Sequence, residues 1–201
     1  MSNSGLDKRP SEVDKRPSLV QLEIMLERRD AFAHIRFLVI GIVSAIIVFA
    51  AAAVLVSTIW FPVFRLHEDS MSPTMLDGEI ILFIKSDDIS KGDIIGFQFA
   101  SRVYIKRVVA VGGESINIDR AGRVYIDGAL QEEPYIEEFS RGEYNIEFPY
   151  EVPEGHFFVL GDHRKTSLDS RSTTIGTVAP DQIAGKALIR IWPLTKIGSV
   201  Y

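Results

Sequence analysis

Hydrophobic and polar positions divide the chain into stretches of different period. From Phe37 to Phe64 no Asp, Glu, Lys, Arg or His interrupts a run dominated by Ile, Val, Ala, Phe and Leu. A hydrocarbon core of about 30 Å needs about 20 helical residues, and a soluble buried helix is seldom apolar on every face for this long. The pattern predicts one transmembrane helix, assigned to residues 36–60. The run is too long, and starts too late, for the ~7–15-residue apolar core of a cleaved secretory signal. Upstream, Leu19, Leu22, Met25 and Leu26 recur at helical spacing behind Ser18-Leu19-Val20-Gln21, which has the form of a capping box. These residues read either as a short interfacial helix or as the start of one long helix. Met1 to Pro17 reads as a disordered tail, so residues 1–35 form a separate segment.

Beyond Arg65 the period becomes two. Runs rich in Ile, Val, Phe and Tyr cover Glu79 to Lys85, Asp93 to Phe99, Val103 to Val111, Ser115 to Ile118, Arg123 to Ile126, His156 to Leu160 and Gln182 to Ile191. Turn signals such as Asp77-Gly78, Gly112-Gly113 and Asp127-Gly128 separate them. The expected fold is mostly β: an antiparallel β-barrel or sandwich over residues 61–201, with a small second lobe at about 127–155, behind one N-terminal transmembrane helix.

Charge sets the orientation. Lys8, Arg9, Lys15, Arg16, Arg28, Arg29 and Arg36 precede the span, whereas Arg65 and His67 are the only basic residues between it and Lys85. The positive-inside rule places the N-terminus in the cytoplasm and the β region across the cell membrane, with Trp60, Phe61 and Phe64 as an interfacial belt at the exit. With a net charge of −5, the totals hold no basic groove for nucleic acid. Cysteine is absent, which removes a disulfide framework, a thiolate zinc site and a cysteine nucleophile. Neither a metal nor a cofactor is expected.

Covalent chemistry must therefore use oxygen or nitrogen. Ser70 lies about ten residues past the span, in Ser70-Met71-Ser72-Pro73-Thr74-Met75, where Pro and small polar residues oppose a regular helix. A histidine base is open to it from His67, His156 or His163, but nothing selects one. Lysine is the other base able to activate a hydroxyl, provided burial populates the neutral amine. In Tyr104-Ile105-Lys106-Arg107-Val108-Val109, alternation puts Lys106 and Arg107 on opposite faces, so one of two adjacent cations points inward or lies at an edge. The alternative is an edge strand with both side chains reaching water. The polar stretch Gly161 to Arg171 follows the apolar Phe157 to Leu160. It reads as a solvated turn, or as a braced loop in which Asp162, Asp169 and Arg171 form an ion-pair network and Ser167 orients a neutral lysine.

Together these three segments resemble, in order and spacing, the signature boxes of the bacterial type I signal peptidases, the membrane-bound serine proteases that remove secretory signal peptides. The resemblance runs from the span to the end of the chain, including Gly185-Lys186-Ala187 and Ile191-Trp192-Pro193-Leu194. It implies a Ser70 nucleophile, a neutral Lys106 as general base, Ser167 hydrogen-bonded to that lysine, and Asp162, Asp169 and Arg171 as braces. The implied substrates are signal peptides with an Ala-x-Ala site, bound as an added strand next to the membrane lipid; substrate-binding residues remain unassigned. Glu68 stands where some members carry a small hydroxyl residue that donates to the oxyanion, leaving the second donor open, and His163 stands where the third box usually has Asn. A catalytically idle relative, acting as a chaperone or pilus-assembly factor, is the alternative, but it would usually lack Ser70 or Lys106. A self-cleaving repressor with a similar dyad would carry a DNA-binding domain in place of the span.

Overall fold

The computed structural model describes residues 19–200, and the side chains of residues 19 and 21–34 are outside the description. The tail and the capping serine Ser18 also lie outside the described residues. Contacts divide the chain into two units, Met1–Ala53 and Val54–Tyr201. Helix α1 is continuous over Leu19–Trp60, so the single long helix, and not a separate short one, precedes and includes the apolar run. Over Ile35–Trp60 its mean hydropathy is 3.0. Its described side chains are exposed on every face, as expected of a helix whose solvent is lipid.

Among its described residues the β unit has eleven strands in chain order: β1 (Val63–Arg65), β2 (Ile80–Ile84), β3 (Ile94–Phe99), β4 (Arg102–Val111), β5 (Ser115–Ile118), β6 (Val124–Ile126), β7 (Ala129–Leu130), β8 (Tyr150–Glu151), β9 (Phe157–Leu160), β10 (Ile183–Trp192) and β11 (Gly198–Ser199). Each of the seven expected runs contains a strand. Those missed, β1, β7, β8 and β11, are two or three residues long, too short to display a period. One sheet runs β1-β2-β10-β3-β4-β9 with β11 on β10; the other runs β7-β6-β5-β8. All pairings are antiparallel. The end strands β1 and β9 do not pair with each other, so the sheet stays open and the architecture is a sandwich, not a closed barrel.

Three apolar clusters fill the unit. Val109, Ala110, Phe158 and Leu160 of the large sheet meet Ile116, Ile118, Val124 and Ile126 of the small one. A second cluster gathers Leu66, Met71, Met75, Ile81, Phe83, Ile94, Ile105 and Ala187, and the third joins Ile95, Phe97, Val108 and Val159. Strand β4 belongs to all three, which is why Ile105 through Ala110 are buried without alternation. Phe158 has no exposed surface and sits in the cluster shared by both sheets. Phe158→Ala is expected to destabilise the β unit by about 3–5 kcal/mol, measured as the shift of the urea midpoint at unchanged slope.

Candidate active site

The loop after β1 carries Ser70 between two anchored points. Met71 and Met75 are buried, at 1% and 0% exposure, and lock the loop into the apolar cluster beneath it. Between them one helical turn closes through Ser72 N–H to Asp69 O (3.0 Å) and Met75 N–H to Met71 O (2.9 Å). Ser70 opens this turn. Its carbonyl accepts the His163 N–H at 3.1 Å, while its own N–H makes no hydrogen bond among the described residues.

Lys106 approaches from β4, with Nζ 2.6 Å from Ser70 Oγ. The alternative in which both side chains reach water fails, because Lys106 and Arg107 are both buried, 3% and 5% exposed, although β9 covers the edge of β4 only from Arg107 onward. Burial disfavours the ammonium and lowers the Lys106 pKa from 10.5 to about 8; Asp169, Glu68 and Asp162 oppose this, while Arg171 adds to it. Period two sends Arg107 to the opposite face. There it forms a fork on Asp162, from Nε at 2.9 Å and Nη2 at 2.6 Å, and Thr74 Oγ1 donates to the same carboxylate at 2.5 Å. One strand thus delivers a solvent-deprived amine to the serine and, one residue on, an ion pair that ties the serine loop to the Gly161–Arg171 loop.

The Gly161–Arg171 loop is held by two further arginines. Arg171 Nε and Nη2 each lie 2.8 Å from Asp169, whose second oxygen also accepts the Gly161 N–H at 3.0 Å. Arg164 forks onto Glu133 (2.5 and 3.1 Å) and donates through Nε to Gly161 O. Tyr135 Oη donates to Glu133 at 2.9 Å while the Arg107 guanidinium lies 4.0 Å above its ring. Burial and the neighbouring Glu133 carboxylate raise the Tyr135 pKa, keeping the phenol protonated as a donor. Asp162 and Asp169 therefore do not share one network with Arg171; each takes its own arginine. Glu133, Arg164 and Tyr135 were not singled out by the sequence reading, because a pair 31 residues apart leaves no periodic trace.

Ser167 departs from the expectation. Its hydroxyl is buried without a hydrogen-bond partner, so the orienting bond to Lys106 is not formed. A side chain on Gly161 would collide with Ser167 and with the Ser70 carbonyl. Three chain segments therefore meet at van der Waals distance, and glycine at 161 permits it. Beside the dyad runs a groove of about 560 Å³, walled by Phe64 to Glu68 on one side and Arg102 to Lys106 on the other. Strand β1 pairs only with β2, and β9 meets β4 from Arg107 onward, so each wall keeps one strand edge unpaired.

Two outcomes follow from these buried charges. Lys106→Met removes an amine whose protonation folding disfavours by about 3 kcal/mol, from a shift of 10.5 to about 8. The lowered folded-state pKa makes that penalty full below pH 8 and lets it fade between about 8 and 10.5. The variant's melting temperature is expected to exceed wild type at neutral pH, with the gap closing toward alkaline pH. Glu133→Ala leaves the 2%-exposed Arg164 unpaired and is expected to destabilise by about 3–5 kcal/mol; a ΔΔG under 1 kcal/mol in a urea titration would contradict the role of this pair.

The chain is similar to known proteins. The family described as signal peptidase, peptidase S26, matches residues 39–192. Signal peptidase I U of Bacillus subtilis is 32% identical, over 76% of this chain and 87% of its own length. Signal peptidase I of Streptococcus pneumoniae is 29% identical, over 67% of this chain and 84% of that protein. A crystal structure of a signal peptidase I from Enterococcus faecalis aligns at 28% identity with a TM-score of 0.40, over 50% of this chain and 97% of that one. Because the family match spans most of the 201 residues and the Bacillus relative is aligned over most of both lengths, this chain belongs to the signal peptidase family, peptidase S26.

Proposed function

We propose that this protein is a single-pass membrane endopeptidase that cuts signal peptides from exported preproteins, with Ser70 as nucleophile and Lys106 as general base. The carrying observation is the 2.6 Å contact between Ser70 Oγ and a Lys106 amine held near pKa 8 by burial. In the neutral state Lys106 accepts the Ser70 proton as Oγ attacks the scissile carbonyl; the resulting ammonium then protonates the leaving amine. Water repeats the cycle on the acyl-enzyme. The unspent Ser70 N–H is the first oxyanion donor.

The groove supports an extended peptide as the substrate. Its two unpaired strand edges take main-chain hydrogen bonds from a segment inserted between them, and the apolar surface of Phe64, Val103 and Ile105 favours uncharged side chains, which an Ala-x-Ala site supplies. Trp60 ends α1 and Ser70 follows ten residues later. A cytoplasmic N-terminus and an anchor over 36–60 then leave the catalytic residues 61–201 on the outer side, where the apolar segment of a signal peptide ends at the lipid surface. The short tether raises the effective concentration of one for the other.

Purified full-length protein in detergent is expected to cleave an Ala-x-Ala preprotein after the second Ala, read by sequencing the new N-terminus. Ser70→Ala and Lys106→Arg each lower kcat/KM by on the order of 10³ or more, because arginine stays protonated at working pH. For wild type, kcat/KM rises about tenfold per pH unit below the Lys106 pKa of about 8 and levels above it, since only the neutral amine is productive. Near-normal turnover by Lys106→Arg overturns the dyad; a wild type inert on this substrate favours the idle relative.

A further inference from the structure

Glu68 combines three features that neither the fold nor the dyad uses. Its backbone adopts φ 90°, a region that side-chain-bearing residues rarely occupy and that tends to persist at functional sites. The conformation is imposed from outside: Glu68 N–H donates to Asp77 Oδ1 at 3.1 Å, and Leu66 and Gly78 are tied to this turn by Leu66 N–H to Glu79 O and Gly78 N–H to Leu66 O. Its side chain lines the same groove as Ser70 and Lys106, and its carboxylate has no hydrogen bond or ion pair among the described residues.

The last feature sets Glu68 apart from the other acids that act on Lys106. Asp169 is forked by Arg171 and Asp162 by Arg107, both out of water. Both act on Lys106 from positions fixed by those arginines, Asp169 more strongly than Glu68. Glu68 is exposed and carries no counter-ion. The other charged or titratable groups on the groove walls are Arg65, His67, Arg102 and Tyr104, with Asp69 and Asp77 in the turn beneath Glu68. Among the carboxylates acting on Lys106, Glu68 is the one that solvent, salt and an incoming peptide all reach.

We propose that Glu68 is a positioning residue whose unpaired carboxylate, held at the groove wall by a strained backbone, biases Lys106 toward its protonated state and so shifts the pH range of activity. An anion there favours the ammonium, so it holds part of the enzyme in the unproductive state below about pH 8. A substrate that brings a cation to Glu68, or a rise in salt, releases that hold. The inference rests on the proposed dyad and adds a control on it.

The test compares wild type, E68Q and E68D as full-length enzymes in neutral detergent at about 0.05 M and about 1 M salt. In low salt the acid limb of kcat/KM for E68Q is expected to move to lower pH by roughly 0.3–1 unit, a gain of roughly two- to tenfold in the falling part of the profile. E68D, which keeps the charge, stays with wild type. At about 1 M salt the wild-type and E68Q limbs converge, because an exposed charge is screened and buried Asp162 and Asp169 are not. Coincident limbs in low salt, or a displacement in E68D equal to that in E68Q, overturn the proposal. The Lys106 midpoint is also read without turnover, by NMR of the 15N-lysine-labelled chain assigned against Lys106→Arg. If Lys106→Arg retains activity the dyad fails, yet the NMR midpoint still reports the coupling; if the midpoint is equal in wild type and E68Q, the coupling fails while the dyad stands.

Discussion

An amine buried against a hydroxyl is the constraint on which the rest of the β unit depends. As the proposed general base, Lys106 must lose its proton near neutrality, and desolvation is the force that lowers its pKa toward that range. Desolvation alone would leave the amine free to relax toward water or toward any carboxylate within reach. Asp169 and Asp162 both act on it, and a direct ion pair with either would stabilise the ammonium and stop the chemistry. Each of those acids is instead held by its own arginine, so that the nearest partner of Lys106 is the Ser70 hydroxyl.

The arginines thus serve position as much as charge. Arg107 ties the serine loop to the loop after β9 through Asp162 and Thr74. Arg164 ties that same loop to Glu133 in the connection from β7 to β8 of the four-stranded sheet. Fork geometry suits this, because two parallel hydrogen bonds fix direction as well as distance. Buried ion pairs are poor sources of net stability. Around the Ser70–Lys106 contact they fix geometry more than they add stability.

Family membership and site geometry rest on separate observations. Residues 39–192 match the signal peptidase family, and the same stretch holds the serine, the buried lysine and a groove with two unpaired strand edges. The departures are local. Glu68 occupies a left-handed backbone position at the groove wall, and His163 contributes its main-chain N–H to the Ser70 carbonyl, a contact that requires no particular side chain.

Much of this was legible in residue order. The apolar run announced α1 and period-two runs announced seven of the eleven described strands, whereas Ser70, Lys106 and the Gly161–Arg171 loop were left open by pattern and singled out only by their joint resemblance to a family's signature boxes. Periodicity reports which way neighbouring side chains point, and it reports this reliably because backbone geometry is local. What it does not report is how deep a face lies or which distant residue meets it. Only the tertiary structure buried both faces of β4 and so made Lys106 and Arg107 internal together. The same packing paired Arg107 with Asp162 across 55 residues and Arg164 with Glu133 across 31, and left the Ser167 hydroxyl without the lysine contact expected of it. Those outcomes follow from desolvation and partner choice, which are set by the whole packed interior and have no period along the chain.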